Sequence, residues 1–400
     1  MPTLDRRTPP HLITLVLATA TGAVSMNVFL PSMPGMARYF DTEYAVVQLA
    51  VSLYLMATAV LQIFIGPASD RYGRRPVMIA CFWIFIAGTV AAIFAPTIEA
   101  LLAARMLQAF SAAGMVLARA VVRDTVGPAE SASRLGYVIM AMSLAPMVGP
   151  LIGGLLDETF GWQSTFLLTL VFGTVALAFV YLDLGETNAQ KSESFTAQFK
   201  AYPELLSSRR FWGYTLTAAF SSGGFFAFVG GGPYVATEML HLSPSGYGLY
   251  FGIISCGYLV GNFISGRYSI RIGINRMMLF GNLISTAGLV LSLGLFAAGF
   301  NHPLSLFGPI FFGGIGNGMV MPNSNAGIVS VRPALAGSAS GLGGAMQIGG
   351  GAVLAVVASA LLGPDTGPYP LMYVMLISSL AAIASTLFVM AVARSVGRAQ

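Results

Sequence analysis

Arg105, Gln108 and Ser111 stand at i, i+3 and i+6 in the apolar run "LLAARMLQAFSAAGMVL", residues 101–117. On a helix this spacing lines up a guanidinium, an amide and a hydroxyl along one face. A charged side chain deep in a bilayer costs about 2.5–3.5 kcal/mol on insertion scales, so it normally faces the protein interior and serves function. The competing reading is an arginine that snorkels to the nearer interface, about two turns away. The acids behave differently. All fifteen, from Asp5 to Asp365, lie in loops or near the ends of apolar runs, and none marks a proton carrier at depth. Asp70, Asp124 and Glu238 are the remaining candidates for that role. Met26, Asn27, Tyr54, Met142, Phe225, Tyr258, Asn323 and Gln347, with Arg105 and Gln108, form a set of aromatic, thioether and amide groups. Such groups suit a bulky, weakly polar small-molecule ligand.

Other chemistries find no footing. Cys81 and Cys256 each stand alone in apolar runs, and His11, His241 and His302 are scattered. No disulfide framework, metal site or cofactor is expected. An enzyme would need His, Cys or carboxylate groups converging at one depth, and none do. An ATP-driven pump would need a phosphate loop with its lysine. The only lysines are Lys191 and Lys200, in the most polar stretch of the chain.

The elements that must carry these residues are membrane helices. Soluble domains are about a quarter charged, whereas this chain is 9 % charged and 56 % hydrophobic. Twelve segments have the roughly 20 apolar residues a span requires: 11–35, 45–66, 76–96, 99–121, 133–156, 161–182, 211–237, 246–267, 274–299, 303–330, 335–362 and 368–392. The tenth is expected to be split or irregular, because "GMVMPNSNAG" is polar for a helix interior. The first is too long for a cleaved signal sequence and reads as a retained span. With both ends inside, Arg38 alone among the twenty cations falls in an outer loop, and Arg105 and Arg119 fall within a span. The net charge of +5 is therefore topology and implies no nucleic acid.

The fold class is thus all-α, with twelve transmembrane helices in two pseudo-symmetric six-helix bundles, 1–182 and 211–400, joined by a polar linker, 183–210. "SDRYGRRPVMI" at 69–79 aligns with "SIRIGINRMML" at 269–279, and "GMV" recurs at 114–116 and 318–320. A parallel six-helix repeat is expected of one secondary-transporter architecture, with the substrate cavity between the halves. Gly73 supplies a turn with positive φ, and Pro76 suits the first turn of the next helix. Pro146 and Pro150, among Gly149, Gly153 and Gly154, bend the fifth helix and let it pack closely.

Taken together, these motifs resemble the major facilitator superfamily, and within it the bacterial drug:proton antiporters of the Bcr/CflA type, over about residues 15–390. "GPASDRYGRRPV" at 66–77 is similar to the loop signature, through Gly66, Asp70, Arg71, Gly73, Arg74 and Arg75. "RMLQAFSAAG" resembles the helix 4 motif, with Ala109 where glycine is usual, and "APMVGPLIGG" resembles the helix 5 motif of exporters. The resemblance implies a monomer in the bacterial inner membrane with both termini cytoplasmic, exporting drugs in exchange for protons. It implies conformational or coupling roles for Asp70, Arg71, Gly73, Arg74, Arg119, Asp124, Gly149, Pro150 and Glu238. Asp70 is expected to latch one conformation against Arg119, Arg123 or the start of helix 11. One departure bears on coupling: Asn27 occupies the helix 1 position where many such antiporters have an acid. Without an acid there, neutral or weakly charged lipophilic substrates fit better than quaternary cations. An uncoupled facilitator, or an exporter of one metabolite, stays open as the alternative.

Overall fold

A computed structural model of the chain describes residues 6, 8–126, 128–188, 202–332, 335–363 and 366–397. Twelve long helices are found among them. The first six are α1 (Leu12–Tyr39), α2 (Tyr44–Tyr72), α3 (Arg74–Ile93), α4 (Ile98–Thr125), α5 (Pro128–Phe160) and α6 (Gln163–Asp183). The second six are α7 (Arg209–Tyr234), α8 (Pro244–Ile272), α9 (Ile274–Ala297), α10 (Pro303–Ser330), α11 (Ala336–Ala360) and α12 (Tyr369–Gly397). Ten are long and apolar enough to cross a membrane. Of the other two, α5 reaches 33 residues and α7 26, and the glycine, serine and proline content of α7 dilutes its apolar signal. Outward-pointing Trp83, Phe160, Phe263 and Ile377 are exposed, as lipid contact requires and water would not tolerate.

The chain separates into two compact units, Met1–Ala197 and Gln198–Gln400, dividing within the polar segment 183–210. Residues 184–188 lie on the first unit, and a short helix, Tyr202–Leu206, buries Leu205 in the core of the second. Lys191 and Lys200 lie outside the described residues. In the first unit, Leu15, Phe82, Leu117, Val121 and Val180 build one core from α1, α3, α4 and α6. In the second, Phe211, Tyr214, Met278, Val320 and Val389 do the same for α7, α9, α10 and α12.

The duplication is visible in the backbone of each unit. Asp41 and His241 both adopt positive φ, 48° and 53°, before α2 and α8. Gly73 and Gly273, at φ 108° and 86°, end those helices, each of which is 29 residues long. A residue with a side chain is strained in that conformation, so glycine recurs at both turns.

Helix regularity departs from expectation in both directions. α10 is continuous despite its polar run. Asn323 donates to the Met319 carbonyl (2.7 Å) and Ser324 to the Met321 carbonyl (3.1 Å), so the polar side chains are satisfied on their own helix. Three other helices break or loosen. α1 passes through a 3-10 turn at Leu30–Ser32, where Pro31 lacks an N–H, and α4 through one at Ala109–Ser111. α7 runs on into a π-helical turn, Val235–Met239, after Pro233.

Close packing in the second unit relies on small residues. Gly257 and Gly261 of α8 lie against the carbonyls of Phe311 and Ile315, and Gly314 and Gly318 of α10 against those of Ile254 and Tyr258. These are two small-xxx-small stripes facing each other. Gly261→Ala is expected to lower the thermal midpoint in detergent, whereas Gly266→Ala in the same helix, with open space around it, leaves it unchanged. Scanning fluorimetry of the pair checks this.

Candidate functional site

The interior of the first unit holds a polar network centred on Arg105, which exposes 0 % of its surface. The guanidinium therefore does not snorkel to an interface. Nε donates to the Ala50 carbonyl of α2 at 3.1 Å. Nη1 donates to the Ser25 carbonyl and hydroxyl of α1, both at 3.2 Å, and to Gln108 Oε1 at 2.5 Å. Phe29 and Tyr54 rings lie against the guanidinium, with centroids 4.3 and 4.4 Å from Cζ. Gln108 Nε2 extends the network to Thr89 of α3 at 2.9 Å. The Tyr54 hydroxyl meets Ser111 at 3.0 Å and donates to the Gly22 carbonyl at 3.1 Å.

Three helices, α1, α2 and α4, meet at this one cation, α3 joins through Gln108, and no carboxylate is among its partners in the described residues. The charge is compensated by carbonyl and amide dipoles and by two ring faces. A buried charge so held is costly unless every bond is kept. Relative movement of α1, α2 and α4 therefore has to reorganise this centre. Chemically it is a site of fixed positive potential, hostile to a cation and tolerant of neutral or anionic groups.

Of the sequence-predicted residues, the structure brings together Tyr54, Arg105, Gln108 and Ser111. It adds Ser25, Phe29 and Thr89, which the sequence reading missed; a lone hydroxyl in an apolar helix is too common to stand out. Met26 and Asn27 are buried at the end of the regular first stretch of α1. Asn27 Nδ2 donates to the Ala23 carbonyl at 2.8 Å, and its buried Oδ1 has no partner among the described residues. Gly149 and Gly153 of α5 seat against Asn27 and the Val28 carbonyl, and Pro150 is buried beside them, so these residues pack as well as bend. The Met142 side chain lies outside the described residues.

In the second unit, Phe225 touches Phe226 and Phe251, with centroids 5.7 and 6.3 Å apart. Asn323 donates to Ser265 at 2.8 Å, and the Tyr258 carbonyl accepts from Asn262 at 2.9 Å. Gln347 is half-buried in α11, and Glu238 is exposed in the π turn that follows α7.

At the α2–α3 turn, a second cluster gives Asp70 a described ion-pair partner, Arg74, four residues on; Arg119, Arg123 or the start of helix 11 was expected. Arg74 also donates to Ser69 Oγ at 2.6 Å and, through Nε, to Asp124 Oδ2 at 3.0 Å, linking the turn to the end of α4. Arg123 lies 3.9 Å from Asp124. The tight turn at Gly73 brings the first residue of α3 back beside the last turn of α2, which puts the Arg74 guanidinium at Asp70. Arg71 is exposed and lies over the Tyr72 ring.

Comparison with known proteins matches this architecture. The sequence profile described as Major Facilitator Superfamily matches residues 15–238 and 232–399. The chain belongs to the major facilitator superfamily. Among superfamily members, it is 31 % identical to the uncharacterised MFS-type transporter YdgK of Bacillus subtilis strain 168, over 90 % of both chains. It is 29 % identical to multidrug resistance protein D of Escherichia coli K12, over 89 % of both. The solved human organic anion transporter MFSD10 (TETRAN) superposes with a TM-score of 0.71 at 18 % identity, covering 94 % of this chain and 98 % of that one, which shows the shared fold. The protein is accordingly a multi-pass membrane transporter of small molecules and not an enzyme.

Proposed function

We propose that the protein is a secondary efflux transporter of the bacterial inner membrane, acting as a monomer with both termini cytoplasmic. It exports lipophilic neutral or weakly charged compounds in exchange for protons, by alternating access. The observation that carries the substrate preference is the buried Arg105 centre, which has no carboxylate among its partners in the described residues. Similarity to multidrug resistance protein D supports the efflux reading. Arg105 and Gln108, which link helices in this structure, are proposed as substrate contacts as well. Met26, Asn27, Tyr54, Met142, Phe225, Tyr258, Asn323 and Gln347 are proposed as substrate contacts. Asp70, Arg71, Gly73, Arg74, Arg119, Asp124, Gly149, Pro150 and Glu238 are proposed as conformational or coupling residues.

A second reading, an uncoupled exporter or facilitator of one metabolite, is favoured by Asn27, an amide where a titrating acid would serve coupling. Everted membrane vesicles carrying the protein, with a fluorescent reporter of the pH gradient and a panel of neutral and cationic drugs, separate the two. Drug-dependent collapse of the gradient, strongest for neutral drugs and lost in Arg105→Ala, is the expected result. Reduced cellular accumulation of a drug that never discharges the gradient would select the uncoupled reading. Cationic drugs discharging it best would overturn the substrate preference.

A further inference from the structure

We propose that Glu186, three residues past the end of α6, is a positioning residue for the Asp70–Arg74 ion pair. Its carboxylate closes over the α2–α3 turn, caps α3 and fastens the chain leaving α6 to the loop that carries the pair.

α3 starts at Arg74 with Gly73 before it and no side-chain cap of its own. The first backbone N–H groups of a helix need acceptors, and the helix dipole favours an anion there. Glu186 Oε1 accepts from the Arg74 N–H at 2.9 Å and from the Asn188 N–H at 3.0 Å. Asn188 in turn donates from Nδ2 to the carbonyls of Asp70, at 2.8 Å, and Ser69, at 3.4 Å. Both sides of the turn are therefore held by the segment "GETN". A Cβ on Gly73 would meet the Glu186 carboxyl group and push it aside, while the φ of 108° is what favours glycine here.

The same segment holds a second helix. Asp183, fully buried, accepts from the His11 N–H at 2.8 Å and from Thr14 Oγ1 at 2.5 Å, at the start of α1, which also lacks a side-chain cap. Two carboxylates three residues apart thus sit on the N-termini of α1 and α3. Arg6 and Arg75 both donate to the Tyr181 carbonyl, at 2.8 and 3.2 Å.

The second unit supplies an internal control. Gly273 adopts nearly the same conformation as Gly73, φ 86° and ψ 146° against 108° and 151°, and α9 begins after it without a side-chain cap. Nothing described lies within 4 Å of a Cβ built there. Ile270, 95 % exposed, takes the place of Asp70, and Ile274 that of Arg74. Among the described residues, this turn therefore folds without an overlying carboxylate. Such a carboxylate is found on the turn that carries the ion pair, and its service is to the pair rather than to the turn.

The test uses the full-length protein with Cys81 and Cys256 replaced by alanine and one nitroxide label on Tyr72→Cys, a site 58 % exposed. A parallel protein carries the label on Ile270→Cys. Glu186→Ala is expected to raise label mobility at 72 and leave 270 unchanged. Its maximal drug-transport rate is expected to fall about 3- to 10-fold, with KM within about two-fold, as loss of a cap acting through a neighbour implies. On an Asp70→Asn background, Glu186→Ala is expected to add less than about two-fold, because both changes then strike one unit. Unchanged mobility at 72, or a transport loss that multiplies in full on that background, overturns the proposal. Should Glu186→Ala fail to reach the membrane, Glu186→Gln carries the same comparison with an acceptor retained, expected to keep parental mobility; parental transport together with raised mobility in that variant overturns the proposal. The transport readout rests on the efflux reading and the label readout does not. A parent that moves no drug therefore counts against efflux, while the label still decides the role of Glu186.

Discussion

Arg105→Lys is expected to abolish drug-dependent transport as fully as Arg105→Ala, although it keeps the charge. The native guanidinium reaches the Ala50 carbonyl, both oxygens of Ser25 and Gln108 Oε1, while two ring faces flank its plane. A lysine offers three donors from one nitrogen, with no planar fork and no face to stack. It can satisfy one helix at a time, and the remaining acceptors stay buried. Each such group costs about 1–3 kcal/mol, which as a loss of coupling corresponds to about 5- to 150-fold. Initial rates in everted vesicles, normalised to protein in the membrane, check this. Substantial activity in the lysine variant would show that positive potential alone matters and that the multi-helix bonding does not.

The features that were legible in the sequence are those where a residue type is expensive in its surroundings. Arg105 stood out because charge is costly in lipid, and the Gly73 and Gly273 turns because charged or polar residues and glycine interrupt apolar runs at matching places. The partners of these residues were less legible. Ser25 and Thr89 contribute a hydroxyl each, and a membrane helix tolerates such groups by bonding them to its own carbonyls, as Thr89 does to Phe85 at 2.8 Å. Their participation depends on helix rotation, which one sequence does not state. Glu186 was read as part of a solvated linker, since an acid after a span has no periodicity to betray a docking site. The 3-10 turn of α4 at Ala109–Ser111 has neither proline nor glycine, so local propensity gave no warning. In α10 propensity warned wrongly, because back-bonds absorbed Asn323 and Ser324.

Gly114→Ala is expected to damage stability and transport together, through the α1–α4 contact that also holds the arginine. A Cβ on Gly114 would overlap the Ala18 carbonyl of α1, and Thr19 Oγ1 donates to the Gly114 carbonyl at 3.4 Å. Backbone meets backbone here, so no side chain can swing away, and the helices must separate. Forcing an extra carbon into a packed core costs about 1–3 kcal/mol. Separation at Gly114 also draws Ser25 away from Arg105, since both contacts join the same two helices. The thermal midpoint in detergent is expected to fall and the transport rate to drop beyond what the reduced amount of folded protein explains. Gly294→Ala in α9, with nothing within 4 Å of the new carbon, is the matched control and leaves both readings at the parental value. Full transport by a destabilised Gly114→Ala protein would separate the packing contact from the arginine centre, and would mean that the Ser25 bonds tolerate the displacement.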